Sequence, residues 1–127
     1  MEKSEVLSAD TNDGVNPIFP QNSESSNAAV VGYGVTIKMY GAGFNPNSDF
    51  TARMLHLLDA NHIPWQTQTP KVDVGGGGTI GEFLSMRNME VLDIGVPLLS
   101  MHSTYEMSSK IDLWCYYGFM RAFYSGK

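Results

Sequence analysis

An apolar run closes on four consecutive glycines at Val72-Asp73-Val74-Gly75-Gly76-Gly77-Gly78-Thr79-Ile80. About a dozen residues later a second apolar run ends in a single histidine, Val91-Leu92-Asp93-Ile94-Gly95-Val96-Pro97-Leu98-Leu99-Ser100-Met101-His102-Ser103. Together these two runs constrain the chain more than any other feature. Glycine tolerates backbone conformations that a Cβ forbids, so the tetraglycine lets main chain come close to a bound group before a helix starts at Thr79. The second run carries His102 out of the core at its end. Open α/β sheets place their chemistry at strand ends, so an α/β fold with a site at His102 is expected.

Punctuation along the chain divides it into alternating elements. Residues 11–26 are rich in Asn, Asp, Gly, Pro and Ser and predict a surface excursion between two strands. The Val, Ile and Tyr content of Ala28 to Tyr40 predicts a strand, and Gly41 to Asn47 a turn. From a cap at Ser48, the period of Phe50, Met54, Leu55, Leu57 and Leu58 predicts a helix ending before Pro64. Trp65 to Val74 reads as a strand and Thr79 to Asn88 as a short helix with Ile80, Phe83 and Leu84 on one face. Glu90 to Met101 reads as one or two strands broken near Pro97. Ser108 or Ser109 then caps a last helix that buries Ile111, Trp114, Cys115 and Phe119.

Composition excludes several classes. At 127 residues, 43% hydrophobic and 17% charged, the chain is expected to be one globular domain at most, long enough to bury a core. A net charge of −5, with eight scattered Lys and Arg, argues against a nucleic-acid partner. One cysteine rules out a disulfide framework and reads as a buried thiol. No apolar run approaches the roughly 20 residues of a membrane span, and the start at Met1-Glu2-Lys3-Ser4 carries no apolar leader. A soluble, cytoplasmic protein without a membrane partner is expected.

The two opening runs, followed by Glu106-Met107-Ser108-Ser109-Lys110-Ile111-Asp112, resemble the closing motifs of the zinc aminopeptidases of the aspartyl aminopeptidase and vacuolar aminopeptidase I family (M18). Those motifs read GGGGTI, then D-x-G-x-P/A-x-L-S-M-H-S, then E-x-x-S-K-x-D. Ser8-Ala9-Asp10 resembles the family's metal-binding S-A-D, Asn27-Ala28-Ala29 through Gly34 to Tyr40 the strand that follows, and Ile63-Pro64-Trp65-Gln66-Thr67 a string of the bacterial members. The resemblance spans nearly the whole chain. It implies a mixed sheet packed by helices, like the carboxy-terminal part of a zinc exopeptidase catalytic domain, phosphorylase/hydrolase-like in its fold.

The implied chemistry is metal-assisted hydrolysis of peptides at their N-terminus. In the family two zinc ions share a bridging aspartate, and water acidified by the metals attacks the peptide carbonyl. Carried over residue by residue, Asp10 binds one zinc and His102 the other. The remaining ligands and the glutamate general base have no counterpart here, so no catalytic residue lies within this chain. Residues 1–127 thus resemble a carboxy-terminal part of the catalytic domain, inactive alone, that needs the missing upstream portion or pairs as a homo-oligomer.

Plainer readings stand beside each of these residues. Asp10 also suits a strand-end turn, and a lone histidine is more often a satisfied polar residue than a ligand. Glu106, four residues after His102, either orients its imidazole or is a solvated surface carboxylate. Gly76, Gly77, Gly78 and Thr79 read as backbone close to substrate or metals; no Lys-Ser/Thr pair follows, which argues against a phosphate cradle. His56 and His62 read as exposed. The chain departs from the family at Asn16, where many members have a histidine, and in the 41–48 loop, which lacks the usual lysine. Two classes follow: a zinc aminopeptidase, or a non-catalytic association or scaffold domain derived from one. Residue preference at the substrate's N-terminus is not legible.

Overall fold

The computed structural model describes residues 4–40, 45–73 and 77–126. The elements run β1 (Glu5–Asp13), a 3-10 turn (Pro20–Asn22), β2 (Val35–Lys38), α1 (Ser48–Ala60), β3 (Trp65–Gln68), α2 (Gly81–Ser85), β4 (Glu90–Leu99), β5 (Met107–Ser108) and α3 (Lys110–Ser125). In the sheet the order is β1-β4-β2-β3, with β5 paired to the end of β4. β1 runs parallel to β4 and β2 parallel to β3, whereas β2 and β5 are antiparallel to β4. The result is the mixed α/β sheet anticipated from the sequence.

β4 reads as a nearly continuous apolar run because it is the central strand, buried from Val91 to Leu98. One face, with Leu92 and Ile94, joins Val35 and Ile37 of β2 against Phe50, Met54 and Leu58 of α1 and Phe119 of α3. Each large side chain taken fully out of water there contributes roughly 1.5–3 kcal/mol. The opposite face is polar, since side chains alternate along a strand: Ser8 and Asn12 of β1, Asp93 of β4 and Thr36 of β2 are buried on it.

Several elements differ from the sequence-based expectation. β1 continues through Asp13 rather than giving way to a loop at Thr11, because Val96, Pro97 and Leu98 offer it parallel partners. β4 passes unbroken through Pro97. The strand expected from Ala28 is only Val35–Lys38, because the preceding turn is pinned elsewhere. The Asp112 carboxylate, fully buried in the first turn of α3, accepts the N–H groups of Gly32 and Gly34 at 2.7 Å each. Gly34 has φ +103°, and a Cβ there would lie 2.2 Å from the Pro64 carbonyl oxygen, so only glycine fits. The predicted strand 65–74 shortens to Trp65–Gln68; Val74 and the turn residues 41–44 lie outside the described residues.

Helix ends are also set by side chains other than some of those expected. Asn47, not Ser48, caps α1, its side chain accepting the Asp49 N–H at 2.9 Å. Ser109 caps α3, accepting the Ile111 N–H at 3.1 Å. α3 buries Cys115 and Phe119, but Ile111 and Trp114 are 62% and 71% exposed; they flank the stripe whose centre is Asp112, Cys115, Phe119 and Ala122. α2 is likewise shorter than 79–88 and leaves Ile80 and Phe83 exposed.

Candidate functional site

Parallel pairing of β1 with β4 is what gathers the site. Asp10 sits opposite Gly95, and the turn that follows Leu99 brings His102 back to the same end of the sheet. Both side chains line a cavity of about 250 Å³, together with Asp13, Glu24, Lys38, Lys71, Gly77 and Gly78. Asp10 Oδ1 accepts the Thr11 N–H at 2.8 Å, a bond that fixes the carboxylate's orientation on its strand. Both residues are exposed. A larger depression of about 840 Å³ lies between His62 and α3, yet no carboxylate is among the described residues that line it.

Delivery of His102 depends on an uncommon backbone. Ser100 and His102 have φ of 62° and 64°, a left-handed conformation in which residues with a Cβ are uncommon. The Glu106 carboxylate accepts the His102 backbone N–H at 2.6 Å and so braces that turn. Of the two readings of Glu106, the structure gives neither directly: its recorded bond is to the main chain of His102, not to the imidazole.

Asp13, Lys38 and Lys71 were not singled out by sequence reasoning. Burial pushes the Asp13 carboxyl above its usual range, and the nearby His102 pulls partly the other way. Lys71 Nζ donates to the Gln21 carbonyl at 2.9 Å and lies 3.5 Å from Asp73. The cavity role of Asp13 follows from the length of β1, which its polar composition concealed. Gly76 lies outside the described residues, Gly77 and Gly78 are in the cavity wall, and Thr79 stands just behind them.

A carboxylate oxygen and an imidazole nitrogen are donors that zinc takes, so Asp10 and His102 each offer one donor of the kind a zinc site uses. They do not complete a site. Among the described residues no group of three or more His, Cys, Asp or Glu side chains converges. His56 and His62 are exposed, and neither lines this cavity. Cys115 is buried, and burial, then the charge of Asp112, hold its thiol above the ordinary value; it is an inert core group.

Comparison with known proteins gives the chain's family. The profile of the aminopeptidase I zinc metalloprotease family (M18) matches residues 1–124. The chain belongs to the M18 aminopeptidase family. A probable M18 family aminopeptidase 1 from Borrelia garinii subsp. bavariensis is 38% identical over 128 residues, covering 95% of this chain and 28% of the relative. The crystal structure of an M18 family aminopeptidase from Thermotoga maritima superposes with a TM-score of 0.88 at 39% identity, over 93% of this chain and 28% of that one. The S. cerevisiae mApe1 dodecamer matches with a TM-score of 0.79 at 26% identity, over 96% and 27%. The chain thus spans little more than a quarter of the length of the curated relatives it matches. No described helix is long and apolar enough to cross a membrane.

Proposed function

We propose that this chain supplies one wall and two metal donors, Asp10 and His102, of a zinc aminopeptidase centre that removes N-terminal residues from peptides. The observation that carries the reading is their convergence on one cavity beside the glycine backbone of residues 77–78, in a family of zinc metalloproteases. Bound zinc would acidify water and polarise the scissile carbonyl. This chain's own residues hold the donors, brace the His102 turn through Glu106, and add the Gly77–Gly78 main chain to the cavity wall. The general base and further ligands belong to other segments of an intact enzyme, and the site of action is the cytoplasm.

Metal affinity tests the reading. Structural zinc sites with four protein ligands bind with about 10–16 kcal/mol, so one donor for each of two ions is expected to bind no tighter than about micromolar. Calorimetric titration of the 127-residue chain at neutral pH is expected to show such weak binding, diminished further in His102→Ala. Nanomolar binding that survives loss of His102 would place the metal elsewhere.

Association is the second element of the proposal. β1 is a nine-residue edge strand, and α3 exposes Leu113, Trp114, Tyr117 and Tyr124. Open edges and apolar helix faces pair with other chains, and the mApe1 relative is a dodecamer. Light scattering is expected to show dimers or larger species, or a complex with a separately supplied upstream portion. A strict monomer with no affinity for that portion would favour an independent, non-catalytic domain.

A further inference from the structure

Asp93, in the middle of β4, is a buried carboxylate, 5% exposed, that takes part in no ion pair among the described residues. Its two oxygens lie 2.8 and 2.9 Å from Thr79 Oγ1. A hydroxyl has one proton to give and two lone pairs to receive with. Thr79 gives its proton to Asp93 and receives the Ser8 hydroxyl at 3.2 Å and the Gly81 N–H at 3.0 Å. Every bonding capacity of that oxygen is used, and β1, α2 and β4 meet on it.

The place of this junction matters more than its strength. Thr79 directly follows Gly77 and Gly78 of the cavity wall, and Ser8 lies two residues before Asp10, on the same face of β1. Polyglycine loses more conformational freedom on ordering than any other backbone, so a glycine wall stays fixed only if something anchors it. A bond to a charged acceptor is stronger than one between neutral groups. We propose that Asp93 is a positioning residue: acting through the Thr79 hydroxyl, it holds the Gly77–Gly78 backbone at a set distance from the strand that carries Asp10. That the held wall faces a peptide rests on the aminopeptidase reading; the holding itself does not.

The test uses Thr79→Val, which keeps the shape and removes the hydroxyl, with Thr79→Ser as the variant that restores it. Amide ¹⁵N relaxation of the 127-residue chain is expected to give Gly77 and Gly78 order parameters near the rigid value of about 0.85, falling below about 0.6 in Thr79→Val and recovering in Thr79→Ser. Asp93→Asn, which retains an acceptor but not the charge, should fall between them. If Thr79→Val does not fold, Asp93→Asn against Thr79→Ser carries the comparison. Glycine amides already mobile in the wild type, or unchanged in every variant, would overturn the proposal. In a zinc-loaded complex with the upstream part of a full-length relative, Thr79→Val should raise KM for an aminoacyl anilide on the order of 10-fold, with a smaller change in kcat. An inactive wild-type complex would refute the aminopeptidase reading, and the relaxation result would still decide on Asp93.

Discussion

Mixing this chain with the separately produced upstream portion of a full-length M18 relative is expected to generate zinc-dependent cleavage of aminoacyl anilides that neither part shows alone. His102→Ala should then lower that rate by more than about 100-fold, because losing only a partner to a metal ligand already costs 10–100-fold. Association should persist in the variant, since His102 is exposed on a turn and contributes nothing to the core. Asp10→Ala is expected to be as damaging, whereas Asp13→Asn should be milder, acting through the charge near His102. A complex that forms but never cleaves would instead support the scaffold alternative, with Asn16 and the altered 41–48 loop marking where catalysis was lost.

A large loss of stability is expected from one methyl group at Gly95. A Cβ there would lie 1.6 Å from Asn12 Oδ1 and 2.8 Å from its Cγ, and Asn12 is fully buried. Asn12 cannot simply swing aside, because its Nδ2 donates to Gln68 Oε1 at 3.0 Å and the Asp10 carbonyl stands 3.0 Å from the same methyl. Gly95→Ala is therefore expected to destabilise the fold by about 1–3 kcal/mol, the usual cost of overpacking. Gly77→Ala, where nothing lies within 4 Å of an added Cβ, should be nearly neutral for stability. Thermal unfolding of both, and of the double variant Asn12→Ala/Gly95→Ala, checks the cause. The double variant should lose less than the sum of the single losses; strict additivity would show that the clash is not with Asn12.

Much of this was legible in local signals. The apolar period of α1, the Ser cap of α3, the apolar run of β4 and the Ser-Ala-Asp and Met-His-Ser motifs all announce themselves through neighbouring residues. What stayed hidden depends on partners distant in sequence. β1 looks like a loop from Thr11 onward because its residues are polar, yet Asn12 lies over Gly95 and Asp13 pairs with Leu98. The strand expected from Ala28 gives way to a turn because a carboxylate about 80 positions later, Asp112, takes up the N–H groups of Gly32 and Gly34. Asp93 looked like part of an apolar strand, and only the path of the chain sets Thr79 and Ser8 beside it. Ile111 and Trp114 obeyed the helical period but lie at the margins of the buried stripe, where period alone does not decide exposure.

Asp10 and His102 as donors to two metal ions is the claim on which the rest turns, and anomalous diffraction measures it directly. Crystals of the reconstituted complex grown with zinc, recorded above and below the zinc absorption edge, are expected to show two anomalous peaks. One should stand at zinc–oxygen distance, about 2.0–2.2 Å, from the Asp10 carboxylate and the other about 2.0–2.1 Å from a nitrogen of His102. Peaks bonded to neither side chain, in a complex that cleaves substrate, would contradict the account.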